Sequence, residues 1–374
     1  MNRNLSYWES EYILNSSDVI IVGAGIVGLT SAYWILKSQP KLNVTILERS
    51  PIPYGATTRN AGFACFGSLS ELYEMIKIGK SIDEVFSLVE RRYNGLGLLL
   101  SEIEDIGFSQ CGNYEIFTKN EKTLFDDSIH FMDTANTEIY RRFGIENNYK
   151  LSNESINAFG FQNVENLISS VGEGTINTGK LFNSLYRNAT KLGTTILTGV
   201  EVQSYNGTNL ETNIGIFKSH KLLFATDGFS GKFFPNEINP YRVQVAITNQ
   251  LENIPFNGGF HFDRGYFFFR EIDSRILIGG GRHHYPDSEN TNEMSTTENI
   301  QGILINLLKT VVFPNKPFTI DMKWAGILGM GAECGQLPII KEVEPNVYIA
   351  IRTSGMGVAL GSAMGKDAAE LILS

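Results

Sequence analysis

The segment that most constrains the fold is Asp18-Val-Ile-Ile-Val22, which runs straight into Gly23-Ala-Gly25-Ile26-Val27-Gly28. A short β-branched run of this kind reads as a buried parallel strand. Ile26 to Ser38 then reads as a helix that stops near Pro40, and Leu42 to Leu47 as a second strand with Glu48 at its end. Gly23 permits a tight turn, Gly25 lets the backbone approach a pyrophosphate, and Gly28 lets helix and strand pack closely. The helix N-terminus offers free N–H groups and a positive dipole end to phosphates. Glu48 lies twenty positions after Gly28, where an acid accepts hydrogen bonds from ribose hydroxyls. Together these features point to a bound dinucleotide, and an acid at that place disfavours a 2′-phosphate.

The same region could be misread. Val19 to Leu36 carries no charge and approaches the length of a membrane span. A span is the weaker alternative, because glycines break the run at fixed spacing. A signal peptide needs a basic start, whereas Glu9, Glu11 and Asp18 come first. We therefore expect no transmembrane segment.

The chain has 374 residues, about two domains' worth. Its 42% hydrophobic content rules out a disordered chain. A net charge of −9 argues against nucleic acid as a main partner, since phosphate backbones need a basic surface. Cys65, Cys111 and Cys334 are too far apart for a disulfide framework or a paired-cysteine metal site. The expected compartment is the reducing cytoplasm. His283-His284 lacks a nearby cysteine or a helical partner, so no metal site is expected.

Further along, Ser70 to Ile106 is helical in pattern with an interruption at Gly95 and Gly97, and Glu121 to Phe143 and Thr178 to Leu192 read as helices. Thr195 to Val202, Lys221 to Thr226 and Tyr241 to Gln250 read as strands. Phe260 to Arg270 and Arg275 to Gly280 read as a hairpin pair bending at Ile272-Asp273-Ser274. Asp287 to Thr297 is polar and expected to be exposed. Thr297 to Leu308 and the chain end from Ser362 read as helices.

These blocks resemble the FAD-dependent amine and amino-acid oxidoreductases of the D-amino-acid oxidase and glycine oxidase type. The likeness rests on Val22 to Gly28, Leu47-Glu48-Arg49 and Gly55-Ala-Thr57-Thr58-Arg59-Asn60-Ala61-Gly62. It continues through Leu192-Gly193, Val200-Glu-Val202, Leu223-Phe-Ala225-Thr226, Tyr266 to Arg270 and Gly279-Gly-Gly-Arg282. It closes with Trp324-Ala-Gly326, Leu337-Pro338 and Ser354-Gly355-Met356-Gly357. The resemblance implies an α/β fold: a Rossmann-like FAD-binding domain interleaved with an α+β substrate domain on a mostly antiparallel sheet. We expect 1–85, 150–228 and 325–374 in the first and 86–149 and 229–324 in the second. It implies FAD contacts at Gly23, Gly25, Ile26, Val27 and Gly28, then at Glu48 and Arg49. Thr57 to Gly62 would wrap the flavin phosphates and ring edge, with Arg59 and Asn60 near the isoalloxazine. Val202 would meet the adenine through its backbone, beside Ala225 and Thr226. Arg352, Gly355, Met356, Gly357 and Val358 would form the second flavin loop. That last assignment also has its own physics, since a strand leading to glycines and a helix N-terminus makes an anion site.

On an alternating strand Tyr266, Phe268 and Arg270 share one face. Tyr266 matches a family position whose hydroxyl binds the substrate carboxylate. In amino-acid oxidases of this type an Arg two places after the Gly of Trp-x-Gly clamps that carboxylate, and here the position is Leu328. Either the substrate lacks a nearby carboxylate or another cation, with Arg282 foremost, has taken over. Some relatives attach flavin through a Cys at the Leu328 position. Cys334 is offset from it, so non-covalent FAD is expected. The expected function is oxidation of the C–N bond of a small amine or amino acid by hydride transfer to flavin N5, giving an imine that hydrolyses. Oxygen or a quinone would accept the electrons. An NAD-dependent dehydrogenase and a flavin-binding protein without turnover are the alternatives.

Overall fold

The structure is a computed structural model and describes residues 6–12, 16–331 and 337–374. Cys334 lies outside the described residues.

The first sheet holds, in spatial order, Ile339–Glu344, Val347–Ile351, Gly215–Phe224, Ser17–Val22, Val44–Glu48 and Thr195–Thr198. The four pairings from Val347–Ile351 through to Thr195–Thr198 are parallel. Ile339–Glu344 runs antiparallel at one edge, and Asn209–Thr212 extends the sheet by pairing antiparallel with Gly215–Phe224 and with Val202–Asn206. Parallel strands must be covered on both faces, and Ile20 and Ile21 accordingly have no exposed surface. The uncharged run from Val19 to Leu36 is thus strand Ser17–Val22 followed by helix Ile26–Ser38. Among the described residues no helix is long and apolar enough to cross a membrane.

Helices Ile26–Ser38 and Gly357–Leu373 pack on this sheet and on each other, and a third helix, Ile82–Glu102, packs on Gly357–Leu373. The third corrects a sequence expectation. Gly95 and Gly97 do not interrupt the helix. The break comes earlier, at Gly79 with φ +99°, and Ser81 restarts the helix through a reciprocal cap with Glu84. Gly95 serves instead as the contact with the last helix, where a Cβ would collide with the Ala359 carbonyl oxygen. That last helix starts at Gly357, ahead of the expected Ser362. The expected strand Thr195–Val202 is also cut, by Gly199 at φ +73°, so Val202 opens a separate strand, Val202–Asn206.

The second sheet runs Ile320–Met330, Asn239–Thr248, Arg275–Gly280, Phe267–Ile272, Gly259–Phe262, Asn113–Thr118, Val164–Ser170 and Tyr149–Leu151. All neighbours are antiparallel except Gly259–Phe262 with Asn113–Thr118. The fold is therefore the α/β arrangement with a mostly antiparallel second sheet that the sequence resembles. Residues 150 and 325, expected as domain boundaries, fall inside strands of this sheet.

Phe260 to Arg270 is two strands rather than one. Asp263 and Arg264 adopt φ +50° and +54° and turn the chain back at Tyr266. The next bend sits at Asp273-Ser274, again with both φ positive, the geometry that matches strand twist. The polar stretch after Asp287 hides one side chain: Glu289 is buried, with Arg242 Nη2 2.8 Å from its Oε1 and Gln244 Nε2 3.0 Å from its Oε2.

Candidate active site

One cavity of about 560 Å3 runs between the two sheets. At one end lies the glycine turn. Gly23 has φ +108°, and a Cβ there would stand 2.8 Å from the Ala225 carbonyl oxygen. A Cβ on Gly28 would collide with the Gly23 carbonyl. The Glu48 carboxylate accepts hydrogen bonds from Ala24 N and Ser50 N, both at 3.1 Å, so the acid is tied to the turn it was expected to serve. Helix Ile26–Ser38 has no side-chain cap from its own N-cap residue. One of its first N–H groups, Ile26 N, donates to Thr57 Oγ1 at 2.9 Å.

The wall next to the turn is the segment 57–62, all of which lines the cavity. It folds around Asn60, whose Oδ1 accepts from Gly62 N at 2.8 Å while its Nδ2 donates to Thr57 O at 2.9 Å. The second sheet holds this loop in place. Arg59 donates to Ala325 O at 2.7 Å and lies 3.6 Å over the Tyr54 ring, and Trp324 Nε1 donates to Arg59 O at 3.0 Å. Buried Arg270 donates to three carbonyls, Ala61, Gly62 and Ile176, at 3.2, 3.1 and 2.9 Å. Arg49 stacks 3.8 Å over Phe229.

The loop before the last helix forms another part of the wall. Gly355, Met356, Gly357 and Val358 line the cavity, as do Ile26, Val27, Val202, Ala225 and Thr226. Gly28 and Arg352 do not. Gly28 is packed behind the turn, and the Arg352 guanidinium reaches the Glu237 carbonyl, leaving Thr353 and Ser354 on the wall. Ser354 Oγ is buried with no hydrogen-bond partner.

Asp227 controls this loop, and its role is not visible in the sequence beyond its place after a strand. It is half-buried at φ +40° and accepts from Arg352 N at 2.9 Å, Thr353 N at 3.0 Å, Thr353 Oγ1 at 3.0 Å and Gly329 N at 3.4 Å. Burial pushes its carboxyl up against the lowering effect of these donors.

The far end of the cavity is built by Tyr266, Phe268, Arg282, Leu328 and Met330, with His261 and Arg264 nearby. The glycines before Arg282 have a local reason. Gly280 sits at φ +115° where a Cβ would strike the Tyr266 carbonyl, and that carbonyl accepts from Gly281 N at 3.0 Å. Tyr266 and Arg282 are therefore held side by side. The Arg282 guanidinium lies 4.8 Å over the Tyr266 ring, and the His283 ring also packs against it, with ring centroids 4.3 Å apart. Asp263 steadies His283 at 2.7 Å. Arg282 Nη2 is 3.8 Å from Met330 Sδ, and no carboxylate among the described residues forms an ion pair with it. Burial holds its guanidinium below the usual range.

The donor set fits FAD: a glycine cradle closed to any Cβ, two helix N-termini facing one cavity, and an unpartnered hydroxyl on the second loop. The comparisons agree. The family described as FAD dependent oxidoreductase (DAO) matches residues 18–371. Probable oxidoreductase OrdL of Haemophilus influenzae is 24% identical over 96% of this chain and 84% of its own length. Sarcosine oxidase subunit beta of Rhizobium meliloti is 24% identical over 89% of this chain and 78% of its own. Among solved structures, L-proline dehydrogenase from P. horikoshii superposes with a TM-score of 0.75 at 20% identity, covering 96% of this chain and 93% of that one. Glycine oxidase from Bacillus cereus gives 0.71 at 19%, covering 96% and 95%. This chain belongs to the DAO family of FAD-dependent oxidoreductases, and FAD is its cofactor.

Proposed function

We propose that the protein oxidises the C–N bond of a small amine that carries a carboxylate, with FAD held non-covalently. The observation that carries this reading is Arg282: a half-buried guanidinium at the cavity end, braced on Tyr266 and lacking an acid partner among the described residues. A buried cation without a counter-ion is costly, and a substrate carboxylate would relieve that cost through a charge-assisted pair. Leu328 lines the same wall and can add only apolar contact. It offers no thiol for a covalent flavin link.

FAD, when bound, supplies the acceptor for the hydride that leaves the carbon next to nitrogen. The protein's part is orientation. Arg282 and the Tyr266 hydroxyl would fix the carboxylate, Phe268 and Leu328 would exclude water, and the 57–62 loop, anchored by Arg270 and Trp324, would set the cofactor's position. The imine product hydrolyses in water. In this reading the first sheet with its helices forms the FAD unit and the second sheet forms the substrate unit, interleaved along the chain. Oxygen or a quinone serves as electron acceptor.

The test is anaerobic mixing of the yellow holoenzyme with glycine, sarcosine, L-proline, D-alanine and putrescine. Bleaching by a carboxylate-bearing member and not by putrescine supports the reading. Bleaching by putrescine alone replaces it with an amine oxidation that does not use Arg282 as a clamp.

A further inference from the structure

A group of buried side chains behind the site takes no part in the reading above. Glu173 accepts hydrogen bonds from Phe66 N at 2.6 Å, Gly67 N at 3.0 Å and Asn113 Nδ2 at 2.9 Å. Glu115 accepts from Ser70 N at 3.2 Å and from the Ser70 hydroxyl. Both are buried. The one cation close by, Arg92, gives its Nη2 to a third acid, Glu71, at 3.0 Å. Burial without a cation of their own pushes both carboxyls up to about 7.

A second cavity of about 10 Å3 lies against this pair, the space that one water needs. Glu115, Glu173, Asn113, Ser170 and Tyr149 line it. Asn113 contributes a buried amide oxygen with no hydrogen-bond partner. Two further residues, Ser68 and His261, line both this cavity and the large one. They form the wall between the acid pair and the substrate. Burial pushes the His261 ring down to about 4, so at neutral pH it adds no charge to that wall.

We propose that the Glu115–Glu173 pair takes up the proton that an ammonium substrate must lose, acting through the Ser68 hydroxyl and a water in the small cavity. This rests on the amine-oxidation reading, in which only the neutral amine has the lone pair that its oxidation requires. In the step, one N–H bond of the ammonium breaks and its electron pair stays on nitrogen. Ser68 Oγ accepts that proton and passes its own to the water in the small cavity, which gives one of its protons to Glu115, whose carboxylate becomes a carboxylic acid. The water then lets Glu115 and Glu173 share the proton. No further reactant is consumed. The charged and titratable groups facing the pair are Glu71, Arg92, Tyr149, Cys65 and His261. Arg92 is the single cation among them. On the substrate side the large cavity is lined by Arg282, Arg264, Glu71 and Glu74. Arg264 is paired with Glu74 at 3.7 Å and Glu71 with Arg92 at 3.0 Å. Arg282, which has no acid partner among the described residues, is therefore the cation that disfavours a second positive charge beside it.

The experiment follows protons and flavin together. Holoenzyme at pH 7, lightly buffered with an indicator dye, is mixed anaerobically with whichever of the amines named above bleaches the flavin. The wild type should release less than half a proton per flavin reduced. Glu115→Gln combined with Glu173→Gln should release about one, and bleach about 100-fold more slowly. Ser68→Ala should behave as the double variant does, and Ser68→Thr, which keeps the hydroxyl, should restore wild-type release. Infrared difference spectra of the wild type alone should gain a carboxylic-acid band when the amine reduces the flavin, which keeps the test independent of how well the variants fold. Bleaching with equal proton release in all variants, or without the new band, overturns the proposal and leaves the amine reading standing. Absence of bleaching by every amine overturns that reading and this proposal with it.

Discussion

The Arg282 guanidinium stands 4.8 Å over the ring of Tyr266, on a backbone where the Tyr266 carbonyl is bonded to Gly281 N. Tyr266 immediately precedes strand Phe267–Ile272 and Arg282 follows the adjacent strand Arg275–Gly280, and the two are locked by Gly280, which admits no Cβ. Arg282→Met should therefore remove a pre-positioned cation without moving the cofactor. A hydrogen bond to a charged group contributes about 1.5–3 kcal/mol. The expected loss in kcat/KM for a carboxylate-bearing amine is about 10- to 150-fold, with FAD content unchanged. Steady-state kinetics beside the flavin absorbance checks both, and an unaltered kcat/KM removes Arg282 from the site.

Asp227 should matter for cofactor retention more than for turnover. Asp227→Ala leaves Arg352 N, Thr353 N and Gly329 N without their acceptor, at about 0.5–1.5 kcal/mol for each partly buried bond. It should lower the melting temperature and weaken FAD binding. Asp227→Asn keeps an oxygen acceptor and tolerates φ +40°, so its loss should be smaller. Gel filtration followed by the flavin-to-protein absorbance ratio ranks the two. Equal retention in Asp227→Ala and wild type contradicts the assignment.

Two glycines in one helix should respond with opposite signs. Gly95→Ala forces a Cβ into the Ala359 carbonyl and should destabilise by about 1–3 kcal/mol. Gly97 is exposed and has open space around it, so Gly97→Ala should stabilise by about 0.5–1 kcal/mol. Urea denaturation of the two variants decides the matter. Destabilisation of both would mean that Gly97 is buried against something not seen here.

The contrast between those glycines shows how far the sequence reaches. The turn from Val22 to Gly28 and the acid Glu48 are legible because strand, glycines and helix are neighbours in sequence and follow local rules. Gly95 looks like a helix interruption in the sequence because its partner, Ala359, lies far along the chain. The break at Asp263-Arg264 was hidden for a related reason: the aromatic run on both sides continues as though unbroken. Arg270, Trp324 and Asp227 hold the two cofactor loops through bonds to backbone atoms of distant segments, and such bonds leave no pattern in residue type. Glu115 and Glu173 look like two ordinary acids until the fold buries them together.

Stability should depend on pH through that pair. Glu115 and Glu173 have folded values of about 7 against an ordinary 4.5, so the folded state holds more protons than the unfolded one between those values. Their contribution is fully present below about pH 4.5 and is lost as pH rises through 7. His261, pushed down to about 4, works in the other direction, and its contribution is lost as pH falls from 6.5 to 4. The urea midpoint of Glu115→Gln with Glu173→Gln should fall less than that of the wild type between pH 5 and 8. Parallel curves for the two proteins would mean that neither carboxyl is raised.

The central claim, that this FAD enzyme oxidises a carboxylate-bearing amine at the Arg282 end of its cavity, is tested most directly by flavin absorbance under anaerobic conditions. With glycine, sarcosine, L-proline, D-alanine and putrescine offered in turn, at least one carboxylate-bearing member should bleach the wild-type flavin, and the same compound should bleach Arg282→Met far more slowly. A flavin that dithionite reduces but no amine in the panel bleaches would contradict the account.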